Sequence, residues 1–124
     1  MMYNEGTIIA LSTAPGSGAI AIIRLSGEDA ISKTDLFFES KSGKNLSESG
    51  GYSISYGDLV DNDEIIDEVV VSVYKAPHSY TGENIIEISC HGSIYIQQRI
   101  LSLFTNAGVR LASAGEFTLR AYLN

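Results

Sequence analysis

In Ile85-Ile86-Glu87-Ile88-Ser89-Cys90-His91 a carboxylate stands in the middle of an apolar, β-branched run. A turn at Thr81-Gly82 leads into it, and the segment reads as a buried strand. Counting by two along a strand, Glu87 shares its face with Ile85 and Ser89, while Ile86 and Ile88 point the other way. A charge between isoleucines is strongly destabilising unless something compensates it. The fold must therefore bring Glu87 either an arginine of its own or a ligand that presents hydrogen-bond donors. The strand pattern leaves both open.

At 124 residues the chain makes one domain with a single core. No apolar run approaches the length of a transmembrane helix. Met1-Met2-Tyr3-Asn4-Glu5 lacks the basic start and apolar stretch of a signal peptide. The single cysteine excludes an internal disulfide and a self-contained thiolate metal site. A cytosolic, globular protein is the expectation. The net charge of −7 and the scattered Lys and Arg leave no basic stripe for gripping nucleic acid.

Along the chain, Thr7–Ser12 and Ala19–Ser26 read as strands around a loop, Thr13-Ala14-Pro15-Gly16-Ser17-Gly18. Gly16-Ser17-Gly18-Ala19-Ile20-Ala21 fits the dinucleotide fingerprint, but that motif needs a helix to begin at the second glycine. The isoleucine-rich stretch that follows has no helical period, so a Rossmann site is set aside. Arg24 falls on the face of Ile20 and Ile22. It is either an arginine reaching water from the sheet edge or a donor fork at a pocket rim.

A helix is expected from Ser26-Gly27-Glu28-Asp29, with Ser26 or Gly27 as its cap. Its apolar residues, Ala30, Ile31, Leu36 and Phe37-Phe38, can cover a sheet. Residues 39–51 read as an exposed, mobile loop. Tyr52–Val60 and Glu68–Tyr74 form a hairpin around the acidic turn Asp61-Asn62-Asp63-Glu64. That turn lacks the glycine and closing glutamate of a calcium loop. Ser93 caps a helix whose inner face carries Ile96, Ile100, Leu103, Phe104 and Ala107, and Gly108 ends it. Val109-Arg110-Leu111 is extended. Phe117–Leu123 begins a last helix, mostly apolar, with Arg120 and Asn124 to solvate it. So much apolar surface suggests a piece of a longer protein.

Cys90 and His91 point to opposite faces of a strand and cannot easily couple, so Cys90 reads as core filling. His78 and His91 are too few to argue a metal, and no phosphate-binding G-x-x-x-x-G-K-[ST] occurs. The residues alone reach an acidic α+β domain, a mixed β-sheet with helices packed on it. Arg24 and Glu87 are its candidate pocket residues, with no catalytic or metal-ligating set.

Several segments carry a resemblance: Thr7-Ile8-Ile9-Ala10, Ala14-Pro15-Gly16-Ser17-Gly18 and Ile22-Ile23-Arg24-Leu25-Ser26-Gly27. It continues in Ala76-Pro77-His78-Ser79-Tyr80-Thr81-Gly82-Glu83, Ile86–Gly92, Gly108–Ala112, Gly115-Glu116-Phe117-Thr118 and Arg120–Asn124. Nearly the whole chain resembles the start of the tRNA-modification GTPases of the MnmE/TrmE family. The resemblance implies a tetrahydrofolate-binding, homodimerising domain over 1–118, related to the folate domain of the glycine-cleavage T-protein. Residues 119–124 would begin a helical domain, with a GTPase domain further on. The complete proteins bind GTP with magnesium and potassium. With an FAD-dependent partner, MnmG/GidA, they install a (carboxymethyl)aminomethyl group on C5 of the wobble uridine of tRNA. Arg24 and Glu87 fall where the family contacts 5-formyl- or 5,10-methylene-tetrahydrofolate; a third contact, a lysine, would follow Asn124. Gly16 and Gly18 would then let a loop approach the ligand or a second subunit closely.

Overall fold

The computed structural model describes residues 6–13 and 16–124. The expectations for residues 1–5 and for Ala14-Pro15 lie outside them. Seven strands form one mixed sheet: β1 (Ile8–Leu11), β2 (Ile20–Ser26), β3 (Phe38–Ser40), β4 (Tyr52–Asp61), β5 (Glu64–Tyr74), β6 (Ile85–His91) and β7 (Arg110–Leu111). Three helices accompany it: α1 (Ala30–Asp35), α2 (Ile94–Thr105) and α3 (Glu116–Leu123). The strand order is β3-β4-β5-β6-β2-β1-β7, antiparallel except for the parallel β1–β7 pair. The α+β class holds, and β6, the strand of Glu87, is the central one.

Alternation decides the two faces. Ile9, Leu25, Ile86 and Val73 lie in one row of the register, and Leu11, Ile23, Ile88 and Val71 in the next. These rows meet Ala30 and Ile31 of α1 and Ile100, Leu103 and Phe104 of α2 in a single core. The α2 pattern and its Ser93 cap are as expected: the Ser93 side chain accepts a hydrogen bond from the Ile96 N–H at 3.0 Å.

The opposite face carries Ala10–Arg24–Glu87–Ser72–Ile54 as one row, with Ile22–Ser89–Val70–Tyr56 beside it. No helix among the described residues covers its β4–β5 side, where Tyr52, Ile54, Tyr56 and Val70 are exposed, and Ile20 of β2 is exposed as well. Towards β1 the same face is closed by α3 and the turn before β6. Ser26 is buried there and its hydroxyl bonds to Thr81 and Glu83 at 2.7 Å each.

Several local expectations are corrected. The cap of α1 is Asp29, because Ser26 is held inside β2 by its buried hydrogen bonds. Gly27 makes the turn instead: its φ is +143°, and a Cβ there would stand 2.6 Å from the Thr7 Cα. Leu36 is exposed, whereas Phe38 enters β3. Residues 39–51 are not simply loop. Ser40 ends a strand, and Leu46 is buried in a short 3-10 turn whose N–H groups at Leu46 and Ser47 donate to Asp35. One leucine in a stretch of thirteen residues, the rest polar or glycine, gave no period to read. The hairpin is tighter than expected, turning at Asn62-Asp63, both with positive φ.

Candidate functional site

The register places Arg24 directly opposite Glu87, on the face away from α1 and α2. Both Nε and Nη2 of Arg24 donate to a single carboxylate oxygen, Oε2, at 2.9 and 2.7 Å. The fold itself thus supplies a partner for the glutamate. Its other oxygen, Oε1, makes no hydrogen bond among the described residues, and neither does Nη1 of Arg24. Both side chains keep about a quarter of their surface open, 26% for Arg24 and 23% for Glu87. Tyr74, on the neighbouring strand β5, has its phenol pushed up by burial and by the Glu87 charge.

Two aromatic rings complete this centre. The guanidinium carbon lies 5.6 Å from the centre of the Tyr80 ring and 5.8 Å from that of Phe117, both within cation–π range. The Tyr80 hydroxyl meets the Thr118 hydroxyl at 3.1 Å, so the two rings stand at one lip. Beside them lies a cleft of about 350 Å³, floored by Ala10, Leu11, Ser12 and Arg24 and walled by residues 112–118. Glu87 is next to Arg24 and is not part of the cleft wall.

The wall is held by a charged cluster. Arg120, 1% exposed, donates through Nη1 to Glu83 and to the Gly6 carbonyl, and through Nη2 to Glu116. Glu116 is buried as well and also takes both Nη atoms of Arg110 and the Ser113 N–H. Two arginines and two glutamates alternate, which is what makes the burial of Arg120 and Glu116 tolerable. The Asn124 side chain closes the far end by donating to the Thr81 carbonyl at 3.0 Å.

The expectation that Arg120 solvates the last helix is therefore corrected: it faces inward to reach carboxylates, one of them 37 residues away. The rings of Tyr80 and Phe117 and this cluster escaped the sequence reading. Their only signal was an aromatic next to each Gly-Glu pair, Tyr80 before Thr81-Gly82-Glu83 and Phe117 after Gly115-Glu116.

Cys90 fills the core as expected. Its thiol is buried, and desolvation pushes it up to about 11. His91 lies on the open side, with Nδ1 2.7 Å from an Asp67 oxygen. Within the chain, Gly18 N–H donates to the Gly92 carbonyl and a Cβ on Gly92 would meet the Gly18 oxygen at 2.1 Å, whereas a Cβ on Gly16 or Gly18 would meet nothing within 4 Å. Residues 20–26 are strand, which removes the dinucleotide reading.

Comparison with known proteins agrees with this chain from end to end. Residues 7–124 match the family described as "GTP-binding protein TrmE N-terminus". A tRNA modification GTPase MnmE from Flavobacterium johnsoniae is 53% identical over 99% of this chain and 26% of its own length. Proteins of the same name from Clostridioides difficile and Bacteroides thetaiotaomicron are 50% and 51% identical, over 99% and 98% of this chain. The chain spans about a quarter of the length of these relatives. With the family match running over residues 7–124, the chain belongs to the TrmE N-terminal family.

Proposed function

We propose that this chain is a tetrahydrofolate-binding, homodimerising domain of a cytoplasmic tRNA-modification GTPase. The observation that carries the reading is the half-buried Arg24–Glu87 pair with one uncommitted oxygen and one uncommitted Nη beside a 350 Å³ cleft. A reduced pterin presents ring N–H and amino donors in one plane, and a single carboxylate can accept them. Oε1 of Glu87 is suited to that, and Arg24 to the carbonyl edge or the negative tail of the folate. The chemistry of these residues therefore fits a folate, which would bring the one-carbon unit as the formyl or methylene derivative.

The exposed β4–β5 face supports self-association, since Tyr52, Ile54, Tyr56 and Val70 form a contiguous apolar surface. With a net charge of −7, the domain leaves tRNA contact to the complete protein and its FAD-dependent partner. There the wobble uridine would receive its (carboxymethyl)aminomethyl group, with GTP, magnesium and potassium handled outside this domain. No helix among the described residues is long and apolar enough to cross a membrane.

Calorimetric titration with 5-formyltetrahydrofolate, run beside light scattering, tests the reading. One folate per chain in a dimer is expected. Glu87→Ala should weaken binding at least about tenfold, as for lost hydrogen bonds to a charged acceptor. Unchanged affinity in that variant refutes the assignment. A second reading, a purely structural dimerisation domain, is favoured by the fact that Arg24 and Glu87 already satisfy one another. A dimer that takes up no folate would establish it.

A further inference from the structure

We infer that the His91–Asp67 pair and Glu68 form a second ligand site at the C-terminal end of β6, and that it takes a small organic cation, an ammonium head on a compact apolar body. The inference does not depend on the folate reading, because His91 lies about 13 Å along the strand from Glu87.

Asp67 holds residue 91 twice. Its Oδ2 accepts the His91 backbone N–H at 2.8 Å, and its Oδ1 stands 2.7 Å from Nδ1 of the ring. An ionised carboxylate only accepts, so Nδ1 carries the proton and Nε2 keeps its lone pair. The Asp67 side chain is 9% exposed and that of His91 is 72% exposed. A buried carboxylate therefore fixes the tautomer of an imidazole that stands in the open. Nε2 makes no hydrogen bond among the described residues. Tying down the end of the strand needs only the backbone N–H, which any residue but proline supplies. What the imidazole adds is an oriented acceptor.

That acceptor adjoins a cavity. His91 lines a space of about 190 Å³ together with Ile20, Tyr56, Glu68, Val70 and Ser89. Ile20 and Val70 give it an apolar wall that stays open to the solvent. Charge decides what enters. No lysine or arginine among the described residues lines the cavity, whereas the Glu68 carboxylate does. An anion is repelled there, and a neutral apolar molecule leaves both acceptors unused. An ammonium meets a carboxylate, a fixed imidazole lone pair and the ring of Tyr56. The chain's own ammonium already takes the neighbouring corner. Nζ of Lys41 lies 6.0 Å from the centre of the Tyr56 ring, 3.8 Å from a Glu68 oxygen and 3.4 Å from an Asp58 oxygen. Lys41 is half exposed and is not part of the cavity lining, so it competes for Glu68 without filling the space.

The test titrates the chain with benzylamine, benzyl alcohol and benzoate as separate probes, at about pH 8, and follows the imidazole nitrogens by long-range proton–nitrogen NMR. In the free chain His91 should show a proton on Nδ1 and none on Nε2. Benzylamine should bind best and benzoate least, and the Nε2 signal of His91 should move as benzylamine is added. That reading needs no variant to fold. Glu68→Gln, at a side chain that is 55% exposed, should weaken benzylamine about tenfold, the scale of a lost charged acceptor. His91→Gln should weaken it about fivefold. Lys41→Met removes the competing ammonium and should strengthen it about threefold, an effect that a structural role for Glu68 does not produce.

A proton on Nε2 in the free chain, or benzoate bound as tightly as benzylamine, overturns the inference. So does benzylamine binding that leaves the His91 signals in place, or that Glu68→Gln and His91→Gln do not weaken. A chain that takes up none of the three probes overturns it as well.

Discussion

Arg24 and Glu87 stand 63 residues apart in the chain and face each other across β2 and β6, with two arginine nitrogens on one carboxylate oxygen. Because both groups are about a quarter exposed, the pair is worth less than a buried one. In a double-mutant cycle of Arg24→Ala and Glu87→Ala followed by urea denaturation, the coupling should be about 1 kcal/mol. A coupling of several times that would mean the pair is a structural keystone instead of an accessible site.

Arg120 should behave differently. It is 1% exposed and bridges Glu83 and the buried Glu116, so its removal breaks two ion pairs at once and leaves Glu116 to Arg110 alone. Arg120→Met should lower the unfolding free energy by about 3–5 kcal/mol. The loss will show as a lower urea midpoint, and a change under 1 kcal/mol would contradict the buried network.

Gly92 is required for space. Its Cβ would approach the Gly18 carbonyl to 2.1 Å, and that neighbour is backbone and cannot rotate away. Gly92→Ala should destabilise by about 1–3 kcal/mol and loosen the loop before β2. Amide exchange at the Gly18 N–H, which bonds to the Gly92 carbonyl, should accelerate in the variant. Unaltered exchange and stability would show that the loop moves aside at no cost.

Cys90 gives a pH signature. Burial holds the thiol at about 11 in the folded chain against an ordinary value near 9. The folded state thus favours the neutral form. Its contribution to stability is complete below about pH 9 and is lost as pH rises through 11. Cys90→Ala should flatten part of the alkaline decline in a comparison of melting curves between pH 8 and pH 11. Iodoacetamide should label native protein at pH 8 far more slowly than urea-unfolded protein, and equal rates would place the thiol at the surface.

Six of the seven strand segments and helix α2 were legible in the sequence, because a period of two or of 3.6 records which side of an element is buried. The same alternation put Arg24 on the face of Ile20 and Ile22, and Glu87 on that of Ile85 and Ser89. Both residues also lay in segments resembling one family. The short strand Phe38–Ser40 was not legible, because its pairing with Leu59, Asp58 and Gly57 is formed across the sheet and leaves only three residues of pattern.

The long-range partners were decided by the tertiary structure alone. A charged residue in an apolar stretch announces that it needs a counter-charge, and nothing local says where that charge comes from. For Glu87 it is Arg24, brought opposite by the register of two strands; for Arg120 it is Glu83, met when α3 folds back on the turn before β6, beside Glu116 one helical turn away in α3 itself. The rings of Tyr80 and Phe117 meet Arg24 for the same reason. Periodicity is written residue by residue, whereas an ion pair or a stacked ring depends on distances that exist only once the sheet has closed.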